Sequence, residues 1–151
     1  MRQFISAIVM FALIALSASH AAAGGMNAVT IETSGGPQQW AVELASDDAS
    51  RAKGLMYRET MAAKTGMLFR FGQTRVVAMW MKNTFIPLDM VFADQSGRVT
   101  HIHRDAVPHS LEIISSQVPA SYVLGINAGE ADMFGVAVGD RLVHPWILPV
   151  N

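Results

Sequence analysis

The sequence contains no cysteine, and this absence removes a group of functions at once. Without a thiol the chain has no disulfide bond, no cysteine nucleophile, no cysteine-based zinc site and no lipidated cysteine. It also lacks a long run of one charge, and its formal net charge is −1, so we predict no nucleic-acid partner. A nucleophile elbow, a phosphate-binding loop and a His-Glu-x-x-His motif are missing too. We therefore predict no cofactor.

Residues 1–23 have the features of a secretory signal peptide. Arg2 is basic, residues 4–16 are mostly apolar, and residues 21–23 are alanines that suit a cleavage site. The apolar stretch is shorter than a typical membrane span. We predict that cleavage leaves residues 24–151 as a periplasmic protein without a membrane span. The alternative is that the segment is kept as a membrane anchor.

Short β-prone runs separated by turn residues follow one another along the rest of the chain. They predict strands at residues 29–33, 40–44, 67–71, 76–81, 87–93, 98–104, 122–126 and 141–143. The glycines between the first two runs predict a hairpin, and residues 72–75 predict a turn between the third and the fourth.

Two short helices complete the prediction. One begins near Ala49 and ends near Arg58, and the other has Asn127 as its N-cap and ends at Gly135. Residues 107–118 are predicted to form an exposed loop. The whole is a single β-rich domain with its core at about residues 28–143. We predict a mainly β (α+β) fold, namely a small, partly open β-barrel of about eight short strands with two short helices.

Several motifs in this order resemble a known family. They are Arg51-x-Lys-Gly-Leu-Met-x-Arg58, Gly66-Met-Leu-Phe-x-Phe71, Trp80-Met-Lys-Asn-Thr-x-Ile-Pro-Leu-Asp89, and Asn127-Ala-Gly followed by Gly135-Val-x-x-Gly-Asp140. This pattern resembles a widespread uncharacterised family of bacterial and archaeal proteins, a domain of unknown function whose members often carry a signal peptide. The resemblance implies a compact β-rich fold and no particular activity. Gly125 departs from the family, in which an acidic residue is frequent at that position.

Polar side chains are densest between residues 80 and 89, in an apolar context. Trp80 offers a flat apolar face, and an ammonium, an amide and a carboxylate follow it. This combination suits a small polar ligand with apolar faces, such as a glycan. The two arginines of the first helix region are seven residues apart and share a helix face, so they are expected to line the same cleft. We therefore predict a ligand-binding cleft formed by Arg51, Arg58, Trp80, Lys82, Asn83, Thr84 and Asp89.

Structural and enzymatic alternatives remain for the same segment. Asn83 and Thr84 are typical of side chains that satisfy a turn backbone, and Asp89 would pair with Arg58 or Lys82 inside the fold. The helix arginines are also consistent with solvated surface charges. A hydrolase-type enzyme would use Asp89 as a candidate catalytic acid or base, with Glu112 or Asp105 as a second carboxylate.

The sequence is also consistent with two further functions, metal binding and protein interaction. Met79 and Met81 share one strand face, and His101 and His103 share another, which are ligands that copper prefers. Methionine also fills irregular cores, so we predict no metal site. A periplasmic protein-interaction module would use an open strand edge or the apolar residues of the loop at 107–118.

Overall fold

The computed structural model describes residues 27–148, which form one sheet of seven strands with two short helices. The predicted signal peptide, residues 1–23, lies outside the described residues. Within residues 27–148, no helix has the length and apolar composition needed to cross a membrane. In chain order the elements are β1 (Ala28–Thr33), β2 (Gly36–Ala45), α1 (Asp48–Lys53), β3 (Thr65–Met79), β4 (Leu88–Ala93), β5 (Val99–Ala106), β6 (Ile114–Asn127), α2 (Glu130–Met133) and β7 (Arg141–Val143).

The strands lie in the order β5-β4-β6-β3-β2-β1-β7. Neighbours are antiparallel except β2 and β3, which are parallel and are connected through α1. The two ends of the sheet approach each other, because Arg98 forms a bridge with Arg141 and the Val99 amide donates to the Asp140 carbonyl at 2.8 Å. The result is a curled half-barrel, which confirms the predicted mainly β, barrel-like fold.

The sheet has seven strands instead of about eight, because the predicted strands at 67–71 and 76–81 are largely parts of β3. The register of β3 against β6 shifts between Arg70 and Arg75. The predicted turn at residues 72–75 overlaps this interval, which we call the β3 bulge (residues 71–74). Extra residues on one strand are accommodated as a bulge, so the turn residues do not reverse the chain.

The first helix ends earlier than predicted. α1 stops at Lys53 because Gly54 adopts a φ of 48° and a ψ of −130°, a conformation that glycine adopts readily and that ends the helix, and its amide donates to the Ser50 carbonyl at 2.9 Å. Asp47 caps the start of the helix by accepting a hydrogen bond from the Ser50 amide at 2.8 Å.

The second helix begins differently from the predicted capping box. Its N-cap is Gly129, whereas the Asn127 side chain donates to the carbonyls of Met61 at 3.1 Å and Ala62 at 3.2 Å. Glu130 turns toward the sheet instead of back to Asn127. The sequence has the pattern of a capping box, but both side chains form hydrogen bonds with distant parts of the chain instead.

The predicted loop at 107–118 is a loop only as far as residue 113. Ile114 begins β6, where it pairs with Met79 and is buried. Leu111 and Ile113 are 65% and 66% exposed, so they form the outward apolar part of the loop.

The sheet separates two apolar clusters. Alternate residues of a strand point to opposite sides, so Leu68 and Val91 lie on one side while Phe69 and Met90 lie on the other. We call the first side the closed face; its buried residues include Val29, Ile31, Trp40, Leu68, Val91, Leu124, Ile126 and Leu142. We call the second side the open face; its buried residues include Leu55, Met67, Phe69, Met81, Leu88, Met90, Phe92 and Val123.

A buried carboxylate joins α2 to the closed face. Glu130 is 5% exposed and accepts hydrogen bonds from Trp40 Nε1 at 2.7 Å and from the Lys64 amide at 2.9 Å. The Lys64 ammonium lies 4.0 Å from the ring centroid of Trp40 and 3.6 Å from that of Phe134, and burial lowers its pKa. Across residues 27–148 every buried side-chain nitrogen or oxygen has a hydrogen-bond partner. The buried polar groups of the closed face therefore form hydrogen bonds within the protein and stabilise the fold.

Candidate functional site

The segment between β3 and β4 is fixed by two neighbouring segments. The Asn83 carbonyl accepts from the Tyr57 amide at 2.8 Å, and the Thr84 carbonyl accepts from the His109 amide at 3.1 Å. Tyr57, Asn83 and His109 all have positive φ, between 52° and 65°, which is uncommon outside glycine. The surrounding hydrogen bonds hold the backbone in these conformations. The segment is consequently tied by its backbone to the residues after α1 and to the loop before β6.

The polar side chains of this segment mostly satisfy local partners. Asn83 Nδ2 donates to Tyr57 Oη at 3.0 Å, and Thr84 Oγ1 donates to the Lys82 carbonyl at 3.1 Å. Lys82 is exposed, with its ammonium 5.0 Å from the ring centroid of Trp80. Trp80 itself is 44% exposed. Of the residues predicted here, Trp80 and Thr84 reach the pocket described next, whereas Lys82 and Asn83 do not line it.

Asp89 lies on the other side of the sheet from that pocket. It is 1% exposed, and its carboxylate accepts from the Asp105 amide at 2.9 Å and from the Gly129 and Ala131 amides at 3.0 Å each. These bonds fasten β4 to β5 and to the start of α2. The structure does not bring the candidate catalytic carboxylate to a cleft, and Glu112 is exposed on the loop before β6.

The open face borders a cavity of about 240 Å³, which we call the apolar pocket. It lies between the end of α1 and the sheet, with Trp80 and Lys53 at its edge. Its apolar lining comprises Leu55, Met56, Phe69, Phe71, Met79, Leu88, Met90 and Val123. A cavity lined in this way is suited to an apolar group, because apolar surface leaves water favourably when a ligand fills it.

A glycine contributes to the wall of the apolar pocket. Gly125 lies near the C-terminal end of β6, and a Cβ atom built there would be 3.3 Å from Leu55 Cδ1 and 3.8 Å from Phe69 Cε2. A larger side chain at this position would project toward the pocket and reduce its volume. The absence of a side chain at residue 125 therefore helps to keep the cavity open.

The two predicted arginines do not share a site. Arg51 lines the apolar pocket, but its guanidinium also donates to the Ser46 and Arg70 carbonyls and pairs with Asp48. Arg58 instead forms a two-point ion pair with Glu43, at 2.7 and 2.6 Å. That pairing lowers the pKa of Glu43 and raises the pKa of Arg58. The end of α1 between them separates the two side chains, because the helix does not continue to Arg58.

The candidate copper ligands have other surroundings. Met81 is fully buried, and Met79 is half-buried at the apolar pocket. The His101 ring stacks on Phe92 with 5.7 Å between centroids, and burial, followed by the charges of His103 and Arg104, lowers its pKa. Among residues 27–148, no group of three or more histidine, cysteine or acidic side chains is arranged to hold a metal ion.

Several lining residues of the pocket were not predicted from the sequence. Phe69, Met90 and Val123 come from three different strands, and only the pairing of those strands brings them to one cavity. The available signal was Gly125, a lone glycine inside an apolar strand run, which often marks a close approach or an open space.

The family model that matches this chain covers residues 29–144. The chain therefore belongs to the DUF192 family, described as "Uncharacterized ACR", which confirms the resemblance to an uncharacterised conserved domain. No curated protein matches it.

Two solved structures are similar to this chain. One, from Sinorhizobium meliloti 1021, is described as a candidate transcription regulator; it is 50% identical, with a TM-score of 0.77, covering 79% of this chain and 93% of the other. The second is a protein of unknown function from Novosphingobium aromaticivorans DSM 12444. It is 35% identical, with a TM-score of 0.75, covering 77% of this chain and 83% of the other.

Proposed function

We propose that this domain binds a small, mainly apolar ligand in the apolar pocket beside Trp80. The observation that carries the proposal is the cavity of about 240 Å³ on the open face, with an apolar lining and no side chain at Gly125. For scale, an engineered cavity of about 150 Å³ lined by Leu, Ile and Phe binds benzene. The proposed ligand is thus larger than a single ring or carries a short alkyl chain.

The proposal keeps small-ligand binding as the function but changes the ligand class expected from the sequence. A glycan requires several hydrogen-bonding groups that face the site. Asn83 and Asp89 satisfy partners within the fold, and the pocket wall is mostly aliphatic, aromatic and thioether. Trp80 remains in the proposal as an exposed aromatic wall at the entrance.

The proposal also includes the location of the protein in the cell. The signal-peptide features of residues 1–23 support a periplasmic location, which cell fractionation would test. The description of the Sinorhizobium meliloti protein gains no support from the charge of this chain, because a net charge of −1 lacks the basic excess typical of DNA binding. We therefore do not extend that description to this protein.

Isothermal titration calorimetry with octanol as the probe tests the proposal. Saturable binding with one site per chain is expected for the wild-type protein. Ala52 is exposed on α1 and lines the pocket, so Ala52→Phe should place a ring at the entrance and weaken binding at least about tenfold, the effect of losing about 1.4 kcal/mol.

Ala49 provides a matched control. It is also exposed on α1 but does not line the pocket, so Ala49→Phe should bind octanol as the wild type does. Equal thermal unfolding of the two variants establishes that both are folded. An absence of saturable octanol binding to the wild type, or equal affinities of the two variants, would refute the proposal.

A further inference from the structure

A second cavity adjoins the apolar pocket and has the opposite character. We call it the polar groove; its volume is about 520 Å³, and its lining includes Arg70, Thr74, Gln95, Ser121 and Trp146. Two arginines line the groove, and none of its lining residues in the described chain is acidic. Hydroxyl, amide and guanidinium groups therefore line this groove, and Arg51 is already paired with Asp48.

Arg70 is the cation that remains available in this groove. Its guanidinium lies 4.5 Å from the ring centroid of Trp146, and within residues 27–148 it forms no ion pair and no side-chain hydrogen bond. Stacking on an aromatic ring limits the freedom of an arginine while leaving its in-plane N–H groups open. Arg70 is thus oriented without being neutralised by a carboxylate of the protein.

The two cavities meet at two residues that line both of them. Arg51 and Phe71 line both of them, and Phe71 begins the β3 bulge. The Arg51 guanidinium lies 5.7 Å from the ring centroid of Phe71 and donates to the Arg70 carbonyl at 3.0 Å. The cavities therefore meet at Arg51 and Phe71, and the bond from Arg51 fixes the backbone of Arg70, the residue that carries the available cation.

We propose that the polar groove holds the anionic head group of the same ligand whose apolar part fills the apolar pocket, with Arg70 as the recognising side chain. This inference rests on the proposed function and adds its substrate class, a small anionic amphiphile. A guanidinium donates two parallel hydrogen bonds to a carboxylate or phosphate, which gives both affinity and orientation. The hydroxyl pair of Thr74 and Ser121, 2.7 Å apart across the bulge, supplies further polar surface.

A matched pair of probes separates the head group from the chain. Octanol and octanoate carry the same number of carbons, but only octanoate is charged at neutral pH. Calorimetry on the wild-type protein should give octanoate an affinity about tenfold higher than octanol, as expected for hydrogen bonds to a charged group. In Arg70→Gln the two affinities should become equal, while the affinity for octanol stays as in the wild type.

Arg75→Gln is the control for a general loss of positive charge. Arg75 is exposed beside the same bulge, 5.9 Å from the Phe71 ring centroid, yet it lines neither cavity. It should therefore keep the preference for octanoate. The preference should also shrink as ionic strength rises, because the groove is open to solvent.

The outcomes separate this inference from the proposed function. Octanol binding without any preference for octanoate, or a preference that survives Arg70→Gln, would overturn the head-group assignment and leave the apolar pocket intact. Binding of octanoate that is unchanged in Ala52→Phe but lost in Arg70→Gln would show an anion site independent of the pocket, which also overturns the inference. If neither probe binds the wild type, the proposed function fails with it.

Discussion

Both faces of the sheet bury apolar side chains, but the two faces are packed differently. The closed face has aliphatic residues packed around Trp40, and its buried carboxylates, Asp89 and Glu130, accept hydrogen bonds from within the protein. The open face contains Met67, Met81 and Met90 and borders the apolar pocket. None of the buried residues of the closed-face cluster lines that pocket. Branched side chains fill one side, whereas flexible thioethers and a glycine leave space on the other.

This difference separates residues that are packed on all sides from residues that border the apolar pocket. Buried polar groups on the closed face have partners within the protein, so their removal leaves orphaned atoms. Side chains around the pocket already border empty space, so their truncation forfeits fewer contacts. Substitutions on the two faces should therefore differ in both size and kind of effect.

The largest effect is expected at Asp89. Asp89→Ala leaves three amides without their acceptor, and each unsatisfied buried group costs about 1–3 kcal/mol, so the free energy of unfolding should fall by about 4 kcal/mol. Urea unfolding followed by circular dichroism measures this. Asp89→Asn keeps one acceptor oxygen and should lose less. If stability were unchanged and octanol binding were lost, Asp89 would instead belong to the proposed ligand-binding site.

A leucine pair gives the intermediate effect. Leu124 is fully buried on the closed face, and Leu88 is 4% exposed and lines the apolar pocket. We expect Leu124→Ala to lower the free energy of unfolding by about 3 kcal/mol and Leu88→Ala by about 2 kcal/mol, because part of the space beside Leu88 is already empty. Urea unfolding curves with equal slopes make the two values comparable. A larger loss at Leu88 would mean that the open face is packed as tightly as the closed one.

The smallest effect is expected at the ion pair of Glu43 and Arg58. Arg58 lowers the pKa of Glu43 below its ordinary value of 4.5, so the stabilisation is present above pH 4.5 and is lost as the pH falls through the lowered value of the folded state. The Glu43 side chain is 59% exposed, which limits the contribution to about 0.5 kcal/mol. Thermal unfolding of the wild type and Glu43→Gln should differ slightly at pH 7 and converge in acid. A gap that widened in acid would contradict this sign.

Local signals predicted much of the fold. The β1–β2 hairpin and the bounds of β7 follow from turn residues and β-prone runs, and the structure has both. These local signals gave a wrong prediction where a side chain forms hydrogen bonds with a distant part of the chain. Asn127 had the pattern of an N-cap, yet carbonyls more than sixty residues away hold it.

The candidate site was less predictable for the same reason. A dense polar segment drew attention to residues 80–89, but strand alternation places Asp89 on the face opposite the pocket. The pocket depends on β6 lying beside both β3 and β4, a non-local pairing that no single segment encodes. Arg51 and Trp80 could be predicted as site residues because their side chains are typical of binding sites. Gly125 contributes to the pocket because it has no side chain.

The position of β6 also has a kinetic consequence. It is the sixth strand to leave the ribosome, yet it lies in the middle of the sheet, between β3 and β4. Until it inserts, the β1–β2–β3 unit and the β4–β5 hairpin each have an unpaired edge, and unpaired edges are where incomplete chains associate. Closing such distant pairs is slow compared with forming local hairpins. The last third of the chain thus decides both when the domain folds and how long its incomplete form is exposed to aggregation.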